Sequence, residues 1–189
     1  MLKNKVIKES IKYEGEFLKF VFIDWINKKG ENSTWEAISS TEENSEIVSI
    51  VPILIPSKRY VVIKNYRPPV DNYVLEFPAG MVNLGESIEK SALRELKEET
   101  GYIGKVVKIS PPTLSSSGLS NESVIMVVVE IDENLLENKN PKQNLESDED
   151  IDVWLVRESD MKLFVENEIK NGTLLSGRFA AYFLGKNQI

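Results

Sequence analysis

Apolar and polar positions change period several times along the chain. The first 45 residues read as short strands and turns. Phe17 to Ile26 is rich in aromatic and β-branched residues, Asn27–Asn32 is a polar turn, and Thr34–Ile38 is a second strand. Thr41–Ser45 is polar, a linker or a loop. A continuous apolar stretch follows, Ile47–Ile55, interrupted by Pro52, and Tyr60–Lys64 is a further strand. Arg67-Pro68-Pro69 is expected to be a loop, because prolines lack N–H donors and Pro68 pushes Arg67 out of helical geometry. Tyr73–Phe77 is a short strand running into Pro78-Ala79-Gly80.

One helix is signalled at both ends. Ser87 is placed to cap it, Ile88, Leu93 and Leu96 supply its apolar positions, and Gly101 stops it. Strands are predicted at Lys105–Ile109, Val124–Ile131 and Ile151–Val156. The polar, acidic run Asn138–Asp150 reads as a mobile loop, and Asp160–Asn171 and Gly177–Gly185 as helices. No repeat of solenoid period is present. Clustered strands with a few helices predict a mixed sheet with helices packed on it, an α/β (α+β) fold.

The 189 residues suit one domain, or one with a small appendage. The hydrophobic fraction of 41% lies far above the disordered range. Lys plus Arg is 23 against 30 Asp plus Glu, a net charge of −7, which argues against a nucleic-acid backbone or an anionic membrane as partner. No apolar run approaches the roughly 18 residues a membrane span needs. The first ten residues, MLKNKVIKES, lack the apolar core of a signal peptide, so a soluble, cytoplasmic protein is expected. The absence of Cys and His removes disulfides, thiolate nucleophiles, imidazole bases and His- or Cys-based zinc sites. Any enzyme chemistry must use carboxylates, Lys, Arg, Tyr or a hard metal on oxygen ligands.

The segment from Gly80 to Tyr102 carries such chemistry. Glu95, Glu98 and Glu99 stand at i, i+3 and i+4, so a helix projects them close together. Alone they would repel and raise one another's pKa, whereas a divalent cation reverses that interaction. Oxygen-only ligands on a rigid helix suit Mg²⁺ or Mn²⁺. Arg94 is expected to point elsewhere on the helix and hold a carboxylate such as Glu86. A Glu-rich amphipathic helix is ordinarily only a solvated face. Here, however, the full spacing is G-x5-E-x7-R-E-U-x-E-E-x-G-U, with U bulky and apolar. Seven fixed residues at ~7% each make a chance match on the order of one in a million. Tyr102 fills the last position, where an aliphatic residue is usual.

This spacing is the box of the Nudix hydrolases, and the chain resembles that family closely. Arg67-Pro68-Pro69, Leu75–Gly80, Gly118-Leu119-Ser120-Asn121 and Thr34-Trp35-Glu36 are similar to the ADP-sugar pyrophosphatases, especially the eukaryotic-type ADP-ribose hydrolases. The likeness extends over residues 13–156. It implies an α/β/α sandwich over residues 46–189 and a small β appendage, residues 1–45, that swaps in a homodimer. It also implies hydrolysis of the pyrophosphate of ADP-ribose or a related nucleotide sugar, with Mg²⁺ and with Mn²⁺ as the substitute.

Residue by residue, the resemblance makes the Ala79 carbonyl, Glu95 and Glu99 direct metal ligands, with Glu98 beside them and Arg94 in the catalytic set. It makes Glu149 the general base, with Asp148 or Asp150 as substitutes. Arg67 would reach the phosphates or terminal ribose, and Glu76 a ribose hydroxyl or Arg67 itself. Trp35 would stack the adenine with Phe17 of a second subunit, and Glu36 would accept from the adenine amine. Trp25 is a rival for Phe17, and Gly118 and Leu119 complete the substrate set. Two positions depart from the ADP-ribose subgroup: Ser117 stands where a proline is usual, and Ser39-Ser40 where a basic residue is usual. Other nucleoside diphosphate derivatives and a non-catalytic nucleotide-binding module are the alternatives.

Overall fold

In the computed structural model, residues 3–41, 46–187 and 189 are described. The expected polar connection at Thr41–Ser45 and the boundary at residue 45 therefore fall largely outside the described residues. By contacts the chain forms two compact units, Met1–Ile47 with Pro112–Val124, and Val48–Pro111 with Ile125–Ile189. The first unit thus includes a segment that the sequence pattern places in the larger part.

The first unit is a three-stranded antiparallel sheet of β1 (Lys5–Glu14), β2 (Leu18–Ile26) and β3 (Asn32–Ser40), in that order. β2 falls within the predicted Phe17–Ile26, while β3 runs past both ends of the predicted Thr34–Ile38. β1 is missed by the apolar pattern because KVIKESIKYE mixes charge and apolar residues, and the ladder slips at Val6/Lys8 and Ile11/Tyr13.

The second unit is built on β4 (Glu46–Ile55), β5 (Arg59–Arg67), β6 (Asn72–Glu76), β7 (Ala79–Met81) and β8 (Lys105–Ile109). The two-residue β9 (Thr113–Leu114) lies in the first unit's Pro112–Val124 segment, and it is followed by β10 (Ser123–Asp132), most of it in the second unit, β11 (Ile151–Arg157) and β12 (Leu174–Leu175). The sheet order is β12-β6-β5-β4-β10-β8, with β11 paired to β5, β7 to β4 and β9 to β10. β12 runs parallel to β6 and β11 antiparallel to β5, so the sheet is mixed. Alternation of side chains splits the core in two. Val48, Ile50, Val61, Val127 and Val129 face Ala92 and Leu96 of helix α1 (Ile88–Thr100). Val51, Tyr60, Val62 and Leu75 face Met161 and Val165 of α2 (Met161–Lys170) and Phe179 and Phe183 of α3 (Gly177–Gly185). This is the predicted α/β/α sandwich.

Helix α1 begins and ends where its caps predict. The Ser87 hydroxyl accepts from the Lys90 N–H at 3.3 Å, and Gly101, at φ 77°, donates to the Lys97 carbonyl at 2.8 Å. A Cβ on Gly101 would also lie 2.3 Å from the backbone nitrogen of Lys142. Gly101→Ala is therefore expected to destabilise the chain by roughly 2–3 kcal/mol, lowering Tm by roughly 5–10 °C in a thermal melt. An unchanged Tm would contradict this account.

Two loop expectations need correction. Arg67 ends β5 rather than lying in a loop, and Pro68–Val70 forms a 3-10 turn closed by Asp71 at φ 48°. The extended geometry that Pro68 imposes on Arg67 is compatible with a strand end. Nor is Asn138–Asp150 loose. Asn138 is buried, and its amide bonds Ile103 on both N–H and C=O and the Asp132 carbonyl, at 2.9 to 3.0 Å.

Candidate active site

Helix α1 turns a mixed stripe inward: Ser91, Ala92, Glu95, Leu96, Glu99 and Thr100 are all buried. A fully buried Leu stabilises by about 1.5–3 kcal/mol, and an uncompensated buried carboxylate costs several. The helix thus spends much of the gain from its apolar residues on two inward carboxylates. Such a stripe is not what stability alone would select.

Glu99 is 2% exposed. Its Oε2 accepts from the Ala79 N–H at 3.0 Å. Burial pushes its carboxyl up to about 9 despite that bond, and the charges of Glu149, Glu95 and Glu76 add to the rise. Glu95 is raised too, chiefly by burial, with Arg94 opposing and Glu98 and Glu149 adding. Gly80 gives Glu95 its place, since a Cβ there would fall 2.0 Å from the Glu95 carboxyl carbon. The site therefore holds oxygen donors whose ionisation needs a nearby positive charge. That donor set fits a divalent cation held by Glu95 and Glu99. Among the described residues, no three of these carboxylates already close round one point.

Part of the missing positive charge comes from Arg94, whose predicted direction is corrected here. It does hold Glu86, with Nη2 3.0 Å from Oε2. Its other arm reaches back to Glu95 at 2.7 Å and Glu98 at 3.0 Å. One guanidinium has five donors in a fork, enough to serve both sides of the helix at once. Hydrogen bonds from Arg94 and then Ser91 hold Glu86 down at about 2. Ser91, 2.6 Å from Glu86, is missed by sequence reasoning because the box leaves its position free.

The acidic run before β11 separates into three environments. Asp148 is exposed. The Asp150 side chain accepts from the Tyr73 hydroxyl at 2.6 Å, and its carbonyl accepts from the Tyr66 N–H at 3.1 Å. Glu149 is half-buried, accepts from the Glu146 N–H at 2.8 Å, and is the one of the three whose charge raises both Glu95 and Glu99.

Arg67 and Glu76 find each other, with the guanidinium 2.6 Å from Glu76 Oε1. Burial raises the Glu76 carboxyl, against the pull of Arg67 and then of Arg178, which no sequence motif marks.

The remaining predicted residues belong to the first unit. Trp35 is half-exposed, and its Nε1 donates to the Gly118 carbonyl at 2.9 Å. Leu119 accepts from the Ile38 N–H at 2.8 Å. Together they line a cleft of about 300 Å³ with Val21, Ile23, Ala37 and Leu114. The uninterrupted β2–β3 register pairs Trp35 with Ile23 and Glu36 with Phe22, so Trp35 and Glu36 point to opposite faces. Phe17 sits at the β1–β2 turn, next to the Leu18–Ser40 pair. It lies about 20 Å along the ladder from Trp35. One chain therefore does not bring these two rings onto a single base. Trp25 faces the same side as Trp35, and its buried Nε1 has no hydrogen-bond partner among the described residues.

Comparisons with known proteins identify what the chain is similar to. The model of the NUDIX domain matches residues 44–173. The chain is 38% identical to the ADP-sugar pyrophosphatase of Mus musculus over 146 residues, 74% of this chain and 67% of that protein. It is 37% identical to the ADP-ribose pyrophosphatase of Saccharomyces cerevisiae over 134 residues, 67% of this chain and 58% of that protein. A crystal structure of an ADP compounds hydrolase superposes with a TM-score of 0.69 at 20% identity, covering 100% of this chain and 98% of that one, which supports the fold.

Proposed function

The chain belongs to the Nudix hydrolase family, and from that premise we propose that it hydrolyses ADP-ribose or a closely related ADP-sugar to AMP and a sugar phosphate, with Mg²⁺ as cofactor. The observation that carries this reading is the buried, inward-facing pair Glu95 and Glu99 on α1, both raised by burial and by the neighbouring Glu149. The names of the mouse and yeast relatives support the substrate class.

Glu95, Glu99 and the Ala79 carbonyl would hold the cation, with Glu98 beside them. Once bound, it would neutralise pyrophosphate charge and ease deprotonation of the attacking water. Glu149 takes the proton as the water oxygen bonds to phosphorus. The phosphoanhydride P–O bond breaks, and its electrons stay on the departing phosphate. Arg94, anchored by Glu86, holds Glu95 and Glu98 in place, and Arg67, held by Glu76, meets substrate oxygens.

Trp35 stacks the adenine, beside Gly118 and Leu119, and Phe17 of a second copy covers its other face. Residues 1–45 supply the dimer contact, a reading supported by exposed Val6, Ile7, Ile11, Tyr13, Phe17 and Leu18. Among the described residues, no helix is long and apolar enough to cross a membrane, and we place the enzyme in the cytoplasm.

The test is a hydrolysis panel of ADP-ribose, ADP-glucose, GDP-mannose and diadenosine polyphosphates, with Mg²⁺, with Mn²⁺ and with EDTA, products identified by chromatography. ADP-ribose is expected to give AMP and ribose 5-phosphate, fastest of the panel and only with metal. Preferred cleavage of GDP-mannose or a dinucleoside polyphosphate would overturn the substrate, and binding of ADP-ribose without AMP release would overturn the enzyme.

A further inference from the structure

The run from Asn138 to Asp150 docks on the C-terminal end of α1. Gly101 has no Cβ, which lets the backbone of Pro141 and Lys142 approach the helix end. The last helical carbonyls then find partners: Lys97 from the Gly101 N–H at 2.8 Å, and Glu98 from the Asn144 N–H at 2.8 Å. The Glu99 carbonyl is met by a side chain. Nε2 of Gln143 donates to it at 2.7 Å, and the same nitrogen donates to the Ile151 carbonyl at 3.0 Å.

These two acceptors are unusual partners for one amide. One is the backbone of the most deeply buried carboxylate of the site. The other lies two residues after Glu149, at the first position of β11, and two residues of extended chain span at most about 7 Å. An amide NH₂ has two hydrogens in a fixed plane, so it sets the separation of the two carbonyls as well as satisfying them. The Tyr73 hydroxyl bond to Asp150 holds the same strand start from its other side.

We propose that Gln143 is a positioning residue for the hydrolysis: by bridging the Glu99 and Ile151 carbonyls, it fixes the distance between the carboxylate helix and Glu149. This rests on the assignment of Glu149 as general base. Gln143 touches no reacting atom, and its effect passes through Glu149. Misplacing a reacting group by about 1 Å can cost as much as about 10²-fold in rate. Gln143 lies in an exposed position, so replacing it leaves no cavity in the core.

Gln143→Leu keeps the side chain out to Cδ and removes both donors. Gln143→Glu keeps shape and polarity but sets a carboxylate against two carbonyl oxygens, and it serves should the Leu variant fold poorly. Steady-state hydrolysis of ADP-ribose with saturating Mg²⁺ is expected to show kcat roughly tenfold lower in both. KM should stay within about twofold, with activity normalised to folded enzyme. The deciding measurement is a double-mutant cycle with Glu149→Gln. Positioning predicts that Gln143→Leu costs nothing further once the base is gone. Multiplicative losses in the double variant, or an unchanged kcat in both single variants, would overturn the positioning role while Glu149 stands. If Glu149→Gln alone keeps wild-type kcat, the base assignment falls first, and the positioning role falls with it.

Discussion

Glu99→Gln is expected to stop turnover without weakening the fold. The substitution keeps volume and the acceptor for the Ala79 N–H, which the structure places 3.0 Å from Glu99 Oε2. What it removes is the charge that a divalent cation would need. A fall in kcat on the order of 10³-fold follows, the scale of losing a charge-stabilising group in a water-excluded site. Glu98→Gln should fall too, though less, because Glu98 is only half-buried and is shared with Arg94. The stability consequence has the opposite sign. Burial lifts the Glu99 carboxyl from 4.5 to about 9 in the chain by itself. A carboxyl raised on folding contributes stability that is complete below its unfolded pKa and is lost as pH rises through the folded value. The wild-type chain should therefore lose stability between about pH 4.5 and 9 in EDTA, and the neutral Gln should escape that loss. Melts at pH 5, 7 and 8.5 are expected to show a flatter profile for the variant, with its Tm above wild type at the alkaline end. Adding Mg²⁺ and ADP-ribose should raise Tm for wild type alone. An unaltered kcat at saturating Mg²⁺ would sink the metal assignment.

The features that make this site were unequally visible in the sequence. The helix was legible because both its stops are local chemistry: the Ser87 cap and the left-handed Gly101 depend on neighbours four residues away or fewer. The carboxylate set was legible because helical spacing converts directly into a shared face. Contacts across long sequence gaps were not. Gln143 bonds backbone carbonyls, which carry no residue identity, so no pattern marks its partners 44 and 8 residues away. The reach of Arg94 was misjudged because position on a helix gives the direction of Cβ, whereas a long guanidinium can bend to both sides. Trp35 and Glu36 show a different gap. Adjacent residues of a strand alternate faces, so their divergence was implied as soon as Thr34–Ile38 was read as a strand. The motif that groups them says nothing about direction. The proline rule that predicts a loop at Arg67 fits a strand end equally well.

The general base can be separated from its neighbours by three substitutions, of which Glu149→Gln is expected to be far the most damaging. Asp150 is already committed, since its side chain takes the Tyr73 hydroxyl at 2.6 Å. A carboxylate that serves as a hydrogen-bond anchor is poorly placed to accept a proton from water. Asp148 is exposed. Glu149 is the member whose charge is felt by both inward carboxylates, which places it within electrostatic reach of the proposed metal ligands. General-base catalysis is worth roughly 10²–10⁴-fold, so Glu149→Gln should lower kcat by that factor. KM should be unchanged, because the group acts in the transition state rather than in binding. Asp148→Asn should stay within about twofold of wild type, where surface substitutions away from a site usually fall. Asp150→Asn keeps an acceptor for Tyr73 and should lose far less than Glu149→Gln. Were Asp148→Asn or Asp150→Asn to collapse kcat while Glu149→Gln kept it, the base would lie elsewhere in the acidic run. The electrostatic coupling of Glu149 to Glu95 and Glu99 would then serve metal affinity rather than proton transfer.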